Sequence, residues 1–135
     1  MPTDIFVTNT DKERIKKLME KMLKGNHQPD ASIKKLEGEI KRAVVVDSNQ
    51  IPGDVITMNT RVLLHLNDED MEVSLTYPED AHLADMKLSV FSPIGTAILG
   101  YKEGNIIEWD VPVGTSKIHI KKIIYQPEAA GDYHL

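Results

Sequence analysis

The fold of this chain is decided by residues Lys87–Gly100, which read Lys-Leu-Ser-Val-Phe-Ser-Pro-Ile-Gly-Thr-Ala-Ile-Leu-Gly. The first residues of the stretch alternate apolar with polar side chains, which is the period of a half-buried strand. Ser92 is then placed to cap a helix, and Pro93 suits the first helical position because no intrahelical N–H is needed there. Gly100 can end the helix. The stretch therefore predicts a strand that turns abruptly into a helix of one to two turns.

Residues 47–135 carry further strand patterns around this unit, and Asp47–Gly53 is rich enough in Ser, Asn, Pro and Gly to be a linker. Asn67–Asp70 is predicted to be an acidic hairpin loop. A small antiparallel sheet with one short helix against it is an α+β arrangement. The predicted strands are Thr60–Leu66, Met71–Tyr77, Leu88–Ser92, Asn105–Val111 and Lys117–Tyr125.

Residues 1–46 have a helical pattern instead. Thr10 and Glu13 match a capping box, and Asp30 is placed to cap a second helix after the break at Gly25–Pro29. Two apolar stripes at helical spacing, joined by a short loop, predict a short antiparallel helical hairpin with a coiled-coil seam. The stripes are Ile15, Leu18, Met19, Met22 and Leu23, and then Ile33, Leu36, Ile40 and Ala43.

Composition limits the function classes. The chain has 135 residues, 41% of them hydrophobic, and a net charge of −5, which fits one domain with a small appendage and argues against sequence-specific nucleic-acid binding. Cysteine is absent, which excludes disulfides and thiolate chemistry. No signal peptide and no apolar run of roughly 20 residues is evident. We therefore expect a cytoplasmic protein without a membrane partner.

Residues that could carry chemistry are scattered. The five histidines show no metal-ligand spacing, and Asp68–Asp70 is an acidic run typical of a solvated loop rather than a cation site. No serine stands in a nucleophile motif. We therefore predict no cofactor, no metal and no catalytic residue. Trp109 either packs in the sheet core or lines a peptide pocket. The histidines are His27, His65, His82, His119 and His134.

Three segments carry a family resemblance. Val55–Val62 and Tyr125–Tyr133 resemble the Rnk family, named as regulators of nucleoside diphosphate kinase, and the Ser-Pro-Ile-Gly-x-Ala-x-Leu-Gly motif at Ser92–Gly100 is shared with the Gre transcript-cleavage factors. The resemblance covers nearly all of residues 47–135, and over the first 46 it rests on architecture alone. It implies that the C-terminal domain has the FKBP-like fold of the Gre C-terminal domain.

The resemblance also implies a partner. Gre factors insert a long helical hairpin into the secondary channel of bacterial RNA polymerase, where acidic residues at its tip help to hold magnesium for transcript cleavage. The arms predicted here have about 14 to 16 residues, or roughly 21–24 Å, around half the Gre length. The tip residues Asn26, His27 and Asp30 include one carboxylate. The chain therefore resembles a non-catalytic regulator that binds the polymerase and competes with Gre factors.

Docking is expected at Phe91, Ser92 and Pro93, because the matching Gre motif contacts the channel rim. Phe91 and Thr96 depart from the Gre pattern, which often has an acidic or small polar residue and an arginine at these positions. Alternatively, Phe91 packs in the core and Pro93 only begins a helix. Two other functions stay open, a weak Gre-type cleavage factor and an FKBP-like peptide-binding or isomerase module around Trp109.

Overall fold

The computed structural model describes residues 5–24, 31–66, 68–111 and 114–132. Its N-terminal part contains strand β1 (Phe6–Thr8), helix α1 (Asn9–Lys24), helix α2 (Ala31–Arg42) and strand β2 (Val44–Val46). Strands β1 and β2 pair in parallel, with Val7 opposite Val45. Along the chain, the two helices therefore lie between these two strands. The sequence patterns did not predict either strand.

Helix α1 begins earlier than predicted. The Oγ1 of Thr8 accepts the backbone N–H of Asp11 at 3.0 Å, which makes Thr8 the N-cap. The predicted Thr10–Glu13 capping box is wrong, because Thr10 already lies inside the helix.

The C-terminal part is a five-stranded sheet in the order β5-β4-β3-β7-β6. Three of the four described strand pairings are antiparallel, as predicted. Strand β5 pairs in parallel with β4, so the antiparallel prediction is wrong for that one pairing and the sheet is mixed. The segment from Tyr77 to Met86 forms two 3₁₀ turns instead of a hairpin, and it returns the chain to the same end of the sheet. The strands are β3 (Arg61–Leu66), β4 (Glu69–Thr76), β5 (Lys87–Ser89), β6 (Ile106–Val111) and β7 (Gly114–Tyr125).

Two short helices complete the fold, α3 (Pro93–Ile98) and α4 (Pro127–Ala130). One hydrophobic core joins the helices to the sheet, and the mixed α+β class is confirmed. No helix in the described part of the chain is long and apolar enough to cross a membrane. The buried core includes Ile15, Met19, Ile33, Leu36 and Ile40 from α1 and α2, Val62, Leu64, Val73, Leu75, Ile118 and Ile120 from the sheet, and Ala97 and Ile98 from α3.

Candidate functional site

Helix α3 begins as the sequence predicts. The Ser92 Oγ accepts the N–H of Gly95 at 3.1 Å and donates to the carbonyl of Ser89 at 2.6 Å. Pro93 occupies the first helical position. The hydroxyl of Thr96 is buried and donates to the carbonyl of Val90 at 2.9 Å. The motif therefore ties the helix to the last residue of β5 and to the residue that follows it.

Gly95 allows the close approach of helix and strand. A Cβ atom added at Gly95 would lie 2.1 Å from the carbonyl oxygen of Ser89, and real side chains do not approach an oxygen so closely. The glycine of the motif thus permits the sharp turn that presents Ser92 and Pro93.

The three predicted docking residues differ in exposure. Pro93 is exposed, whereas Phe91 and Ser92 are half-buried. Phe91 packs against the hydrophobic core, and its N–H donates to the Oγ of Ser89 at 3.0 Å. The structure therefore leaves Pro93 and part of the Phe91 ring at the surface, while the Ser92 hydroxyl is engaged in the cap.

Gly100 links the N-terminal strand to the body. The Gly100 carbonyl accepts the N–H of Phe6 at 3.1 Å, and the Gly100 N–H donates to the carbonyl of Ile56 at 2.9 Å. Its φ of +85° is a left-handed conformation that suits glycine. A Cβ atom there would lie 2.9 Å from the Cβ of Ile5. The end of the α3 motif is therefore also the attachment point of β1.

A buried carboxylate forms a second link between the two parts. Asp11 is 2% exposed and accepts hydrogen bonds from the Met58 N–H at 3.1 Å and from the Tyr77 hydroxyl at 3.3 Å. Burial raises the pKa of Asp11 above its usual value, although these hydrogen bonds oppose the shift. Burial also raises the pKa of Tyr77, and the Asp11 charge adds to that shift.

Glu128 in α4 holds the same segment from the other side. Its Oε1 accepts the hydroxyl of Thr57 at 2.5 Å, and the hydroxyls of Thr57 and Thr60 are 2.9 Å apart. Burial raises the pKa of Glu128, and the charge of Asp11 raises it further. Two buried carboxyl groups thus flank Thr57 and Met58, in one of the segments that resembles Rnk.

Gln126 completes this buried polar cluster. Its Nε2 donates to the carbonyls of Pro52 at 2.8 Å and Val55 at 2.7 Å, while its Oε1 accepts the N–H of Ala129 at 3.1 Å. The Gln-Pro-Glu sequence at residues 126–128 therefore fastens this segment to residues 52–57.

These buried polar residues were not predicted, and the sequence contains one signal of them. Asp11, Ile15 and Met19 share one face of α1, which puts a carboxylate on an apolar stripe.

The other predicted site residues lie away from the start of α3 or outside the residues that the structure describes. The tip residues Asn26, His27 and Asp30 lie outside the described residues, as does the side chain of Trp109 in β6. His65 lies opposite His119 in the sheet, and its Nδ1 lies 2.7 Å from Asp70, whose pKa this contact and Lys121 lower. Among the described residues no three His, Cys, Asp or Glu side chains group as metal ligands.

Comparison with known proteins places this arrangement in a family. Residues 3–46 match the family model "Rnk N-terminus", and residues 51–125 match "Transcription elongation factor, GreA/GreB, C-term". The chain is 38% identical to the regulator of nucleoside diphosphate kinase of Escherichia coli strain K12, over 97% of this chain and 96% of that protein.

The chain belongs to the Rnk family. It is also 36% identical to the transcription elongation factor GreA of Clostridium botulinum strain Eklund 17B, over 70% of this chain and 60% of that protein. Among solved structures, a GreA/GreB elongation factor from Nitrosomonas europaea superposes with a TM-score of 0.73 at 33% identity. That match covers 90% of this chain and 100% of the other. The relationship of Rnk proteins to GreA and GreB indicates a transcription-related regulator.

Proposed function

We propose that this protein binds bacterial RNA polymerase near the rim of its secondary channel and competes there with Gre factors without stimulating transcript cleavage. The observation that carries the proposal is the match of residues 51–125 to the GreA/GreB C-terminal domain, together with the well-formed Ser-Pro helix start within it. Membership of the family supports a role in transcription and nothing more specific. The docking position and the absence of cleavage are our proposal.

The docking surface is proposed at the start of α3. Pro93 is exposed, and the Phe91 ring beside it is half-buried. The cap formed by Ser92 and the close packing at Gly95 constrain the backbone of the turn that carries both residues. A rigid apolar contact of this kind loses little conformational freedom when it binds a partner.

The two helices give the proposed hairpin its length, but its tip lacks the carboxylates that cleavage requires. Helices α1 and α2 have 16 and 12 residues, which corresponds to about 24 and 18 Å at the helical rise. We propose that they form an antiparallel hairpin with Asn26, His27 and Asp30 at its tip. Cleavage by a shared magnesium ion requires several carboxylate oxygens at that point, and this tip offers Asp30 alone. The proposed role is therefore occupancy of the site and not chemistry.

Binding can be tested with purified polymerase. The protein is expected to be retained by immobilised polymerase and to be displaced by a Gre factor. Pro93→Asp is expected to weaken binding, because it adds a charge to the apolar contact while an acidic residue suits the first turn of a helix and preserves the fold. Pro78→Asp, a matched change at the start of a 3₁₀ turn, is expected to bind normally. Failure to bind at micromolar protein contradicts the proposal.

Cleavage is tested separately on stalled elongation complexes. The protein is expected to release no shortened RNA and to reduce the cleavage that an added Gre factor stimulates. RNA cleavage by the protein itself would contradict the non-catalytic role and support the alternative of a weak cleavage factor.

A further inference from the structure

One row of side chains crosses four neighbouring strands of the sheet. Arg61 in β3 lies opposite Tyr125 in β7 and opposite Ser74 in β4, and Ser74 lies opposite Lys87 in β5. Residues that are paired across strands project from the same face of a sheet. The order across the row is therefore Tyr125, Arg61, Ser74, Lys87.

These four residues line a cleft of about 270 Å³ together with Asn59, Thr76 and Asp80. Neighbouring strands lie about 4.8 Å apart, so the backbones of Arg61 and Lys87 are separated by roughly 10 Å across two strand spacings. Ser74 lies between them. Two long cationic side chains can thus reach an anion that sits over the Ser74 hydroxyl.

The charge of this cleft differs from that of the surrounding protein. Helices α1 and α2 contain ten Lys or Arg and five Asp or Glu, a net charge of +5, so the rest of the chain has six and sixteen, a net charge of −10. Two of those six cations line this one cleft. Their placement together in an acidic domain indicates a local site for an anion.

The two cations are also available to a ligand. The Nε of Arg61 lies 3.8 Å from Glu72 Oε2, and both side chains are more than half exposed, so this ion pair is loose. Within the part of the chain that the structure describes, no ion pair involves Lys87. Asp80 is the single carboxylate among the lining residues.

Tyr125 adds an aromatic surface at one end of the row. Its hydroxyl donates to the Asp132 carboxylate at 2.5 Å, which fixes the ring beside Arg61. A phosphate next to an aromatic surface is the chemical pattern of a nucleotide, and aromatic rings stack on any base. The cleft lies just below the usual size of small-molecule sites, which favours a mononucleotide over a larger ligand.

We propose that this cleft binds a mononucleotide, with a phosphate over Ser74 between Arg61 and Lys87 and the base against the Tyr125 ring. Arginine offers its planar fork to the phosphate oxygens and lysine a point charge. The site lies on the sheet, with Asn59 and Asp80 contributed by adjoining segments, and it does not depend on binding to polymerase.

Titration of the ¹⁵N-labelled full-length protein with ADP, followed by NMR, tests the proposal. Shifts are expected in the backbone signals around Arg61, Ser74 and Lys87. Arg61→Gln and Lys87→Gln should each weaken binding about tenfold, the effect of losing a hydrogen bond to a charged group. Lys117→Gln removes the same charge from an exposed position of β7 outside the cleft and should leave the affinity unchanged.

Three further changes separate the parts of the site. Asp80→Asn should tighten binding about two- to fivefold, because it removes from the lining of the cleft a negative charge that repels the phosphate. Tyr125→Phe keeps the ring and should bind ADP normally, whereas Tyr125→Leu should bind ADP about as weakly as wild type binds inorganic phosphate. Inorganic phosphate and adenosine, titrated alone, should each bind more weakly than ADP.

Several results would overturn the proposal. One is the absence of localised shifts at millimolar ADP. Another is equal weakening by Lys117→Gln and Lys87→Gln, which would show diffuse attraction to positive charge. Adenosine binding as tightly as ADP would exclude the phosphate contact, and phosphate binding as tightly as ADP would exclude the contact of the base with Tyr125.

Discussion

The carboxylate of Asp11 accepts the backbone N–H of Met58 at 3.1 Å, and both residues are buried. A side chain in the first turn of α1 thus satisfies a backbone group in the segment that precedes β3. The contact joins the helical part of the chain to the sheet, so the orientation of α1 depends on a polar interaction as well as on apolar packing.

Removal of the Asp11 side chain is expected to destabilise the fold. Asp11→Ala leaves the Met58 N–H buried without an acceptor and the Tyr77 hydroxyl without its partner, at a cost of about 2–3 kcal/mol. Asp11→Asn keeps an acceptor for Met58 and should be far less destabilising. Urea unfolding at pH 7 measures both free energies, and equal losses for Ala and Asn would contradict the proposed role of the acceptor.

The wild type and Asp11→Asn also differ in the expected pH dependence of their stability. Burial raises the pKa of Asp11 from its usual 3.8, so above pH 3.8 the folded state holds this proton more strongly than the unfolded state. Its contribution to stability is therefore complete below pH 3.8 and is lost as pH rises through the folded-state pKa.

Asn has no such proton, so the stability of Asp11→Asn relative to wild type should be highest at neutral pH and should fall as pH falls toward 4. Unfolding at several pH values measures this difference directly, and the other titrating groups largely cancel. A relative stability that does not change with pH, or that rises on acidification, would show that the pKa of Asp11 is not raised.

The two glycines Gly95 and Gly38 are expected to respond in opposite ways to alanine. A Cβ at Gly95 would lie 2.1 Å from the Ser89 carbonyl, so Gly95→Ala should cost more than about 2 kcal/mol. A Cβ at Gly38 in α2 meets nothing within 4 Å, so Gly38→Ala should stabilise by about 0.5–1 kcal/mol through helix propensity. Thermal unfolding of both variants provides the check, and a tolerated Gly95→Ala would refute the close approach of α3 to β5.

Gln126 is expected to stabilise the attachment of the chain end. Gln126→Ala removes donors from the buried carbonyl of Val55 and from that of Pro52, at a cost of about 2 kcal/mol. Gln126→Glu keeps the acceptor for the Ala129 N–H but places oxygen against two carbonyls, so it should be at least as destabilising. Proteolysis near residues 126–132 should accelerate in both variants. Full stability of Gln126→Glu would show that the two donated bonds contribute little.

Asp30 allows a test of the tip. If Asp30 serves only as a helix cap, Asp30→Asn should preserve stability and the effect on transcription, because Asn caps about as well as Asp, whereas Ala should cost about 1 kcal/mol. We expect Asn to behave like wild type in both thermal unfolding and transcription assays. Loss of the transcriptional effect in a folded Asp30→Asn protein would mean that the carboxylate acts at the polymerase active centre.

Local patterns predicted much of this fold. The Ser92 cap, Pro93 at the first helical position and the end of the helix just before Gly100 are confirmed, because each depends on a few neighbouring residues. The five strands of the main sheet are present with shifted bounds. Strand β4 begins at Glu69 rather than Met71, because Asp70 pairs across the strand with His65. Strand β5 ends at Ser89 rather than Ser92, and β7 begins at Gly114 rather than Lys117. The described part of the apolar stripes also reaches the core as predicted, with Ile15, Met19, Ile33, Leu36 and Ile40 buried and Leu18 and Ala43 packed against that core.

Features that depend on distant residues could not be read from the sequence. The parallel pairing of β5 with β4 depends on the path of residues 77–86, and the pairing of β1 with β2 joins segments 38 positions apart. The capping error has a similar origin, because Thr8 and Thr10 both precede an acidic residue by three positions. The two candidate caps differ in tertiary contacts, because Thr8 caps the helix in which Asp11 reaches the buried Met58 N–H.

The parallel pairing of β1 and β2 has a consequence for how such proteins can diversify. The helical segment follows Thr8 and precedes Val44, and these residues lie on adjacent strands. The Phe6 N–H fastens β1 to the Gly100 carbonyl, and the Val44 N–H fastens β2 to the Ile5 carbonyl. In the hairpin that we propose, turns of helix could be inserted or deleted at the tip while both attachment points stay in place. Evolution or an engineer could therefore graft arms of different length and chemistry onto one unchanged platform.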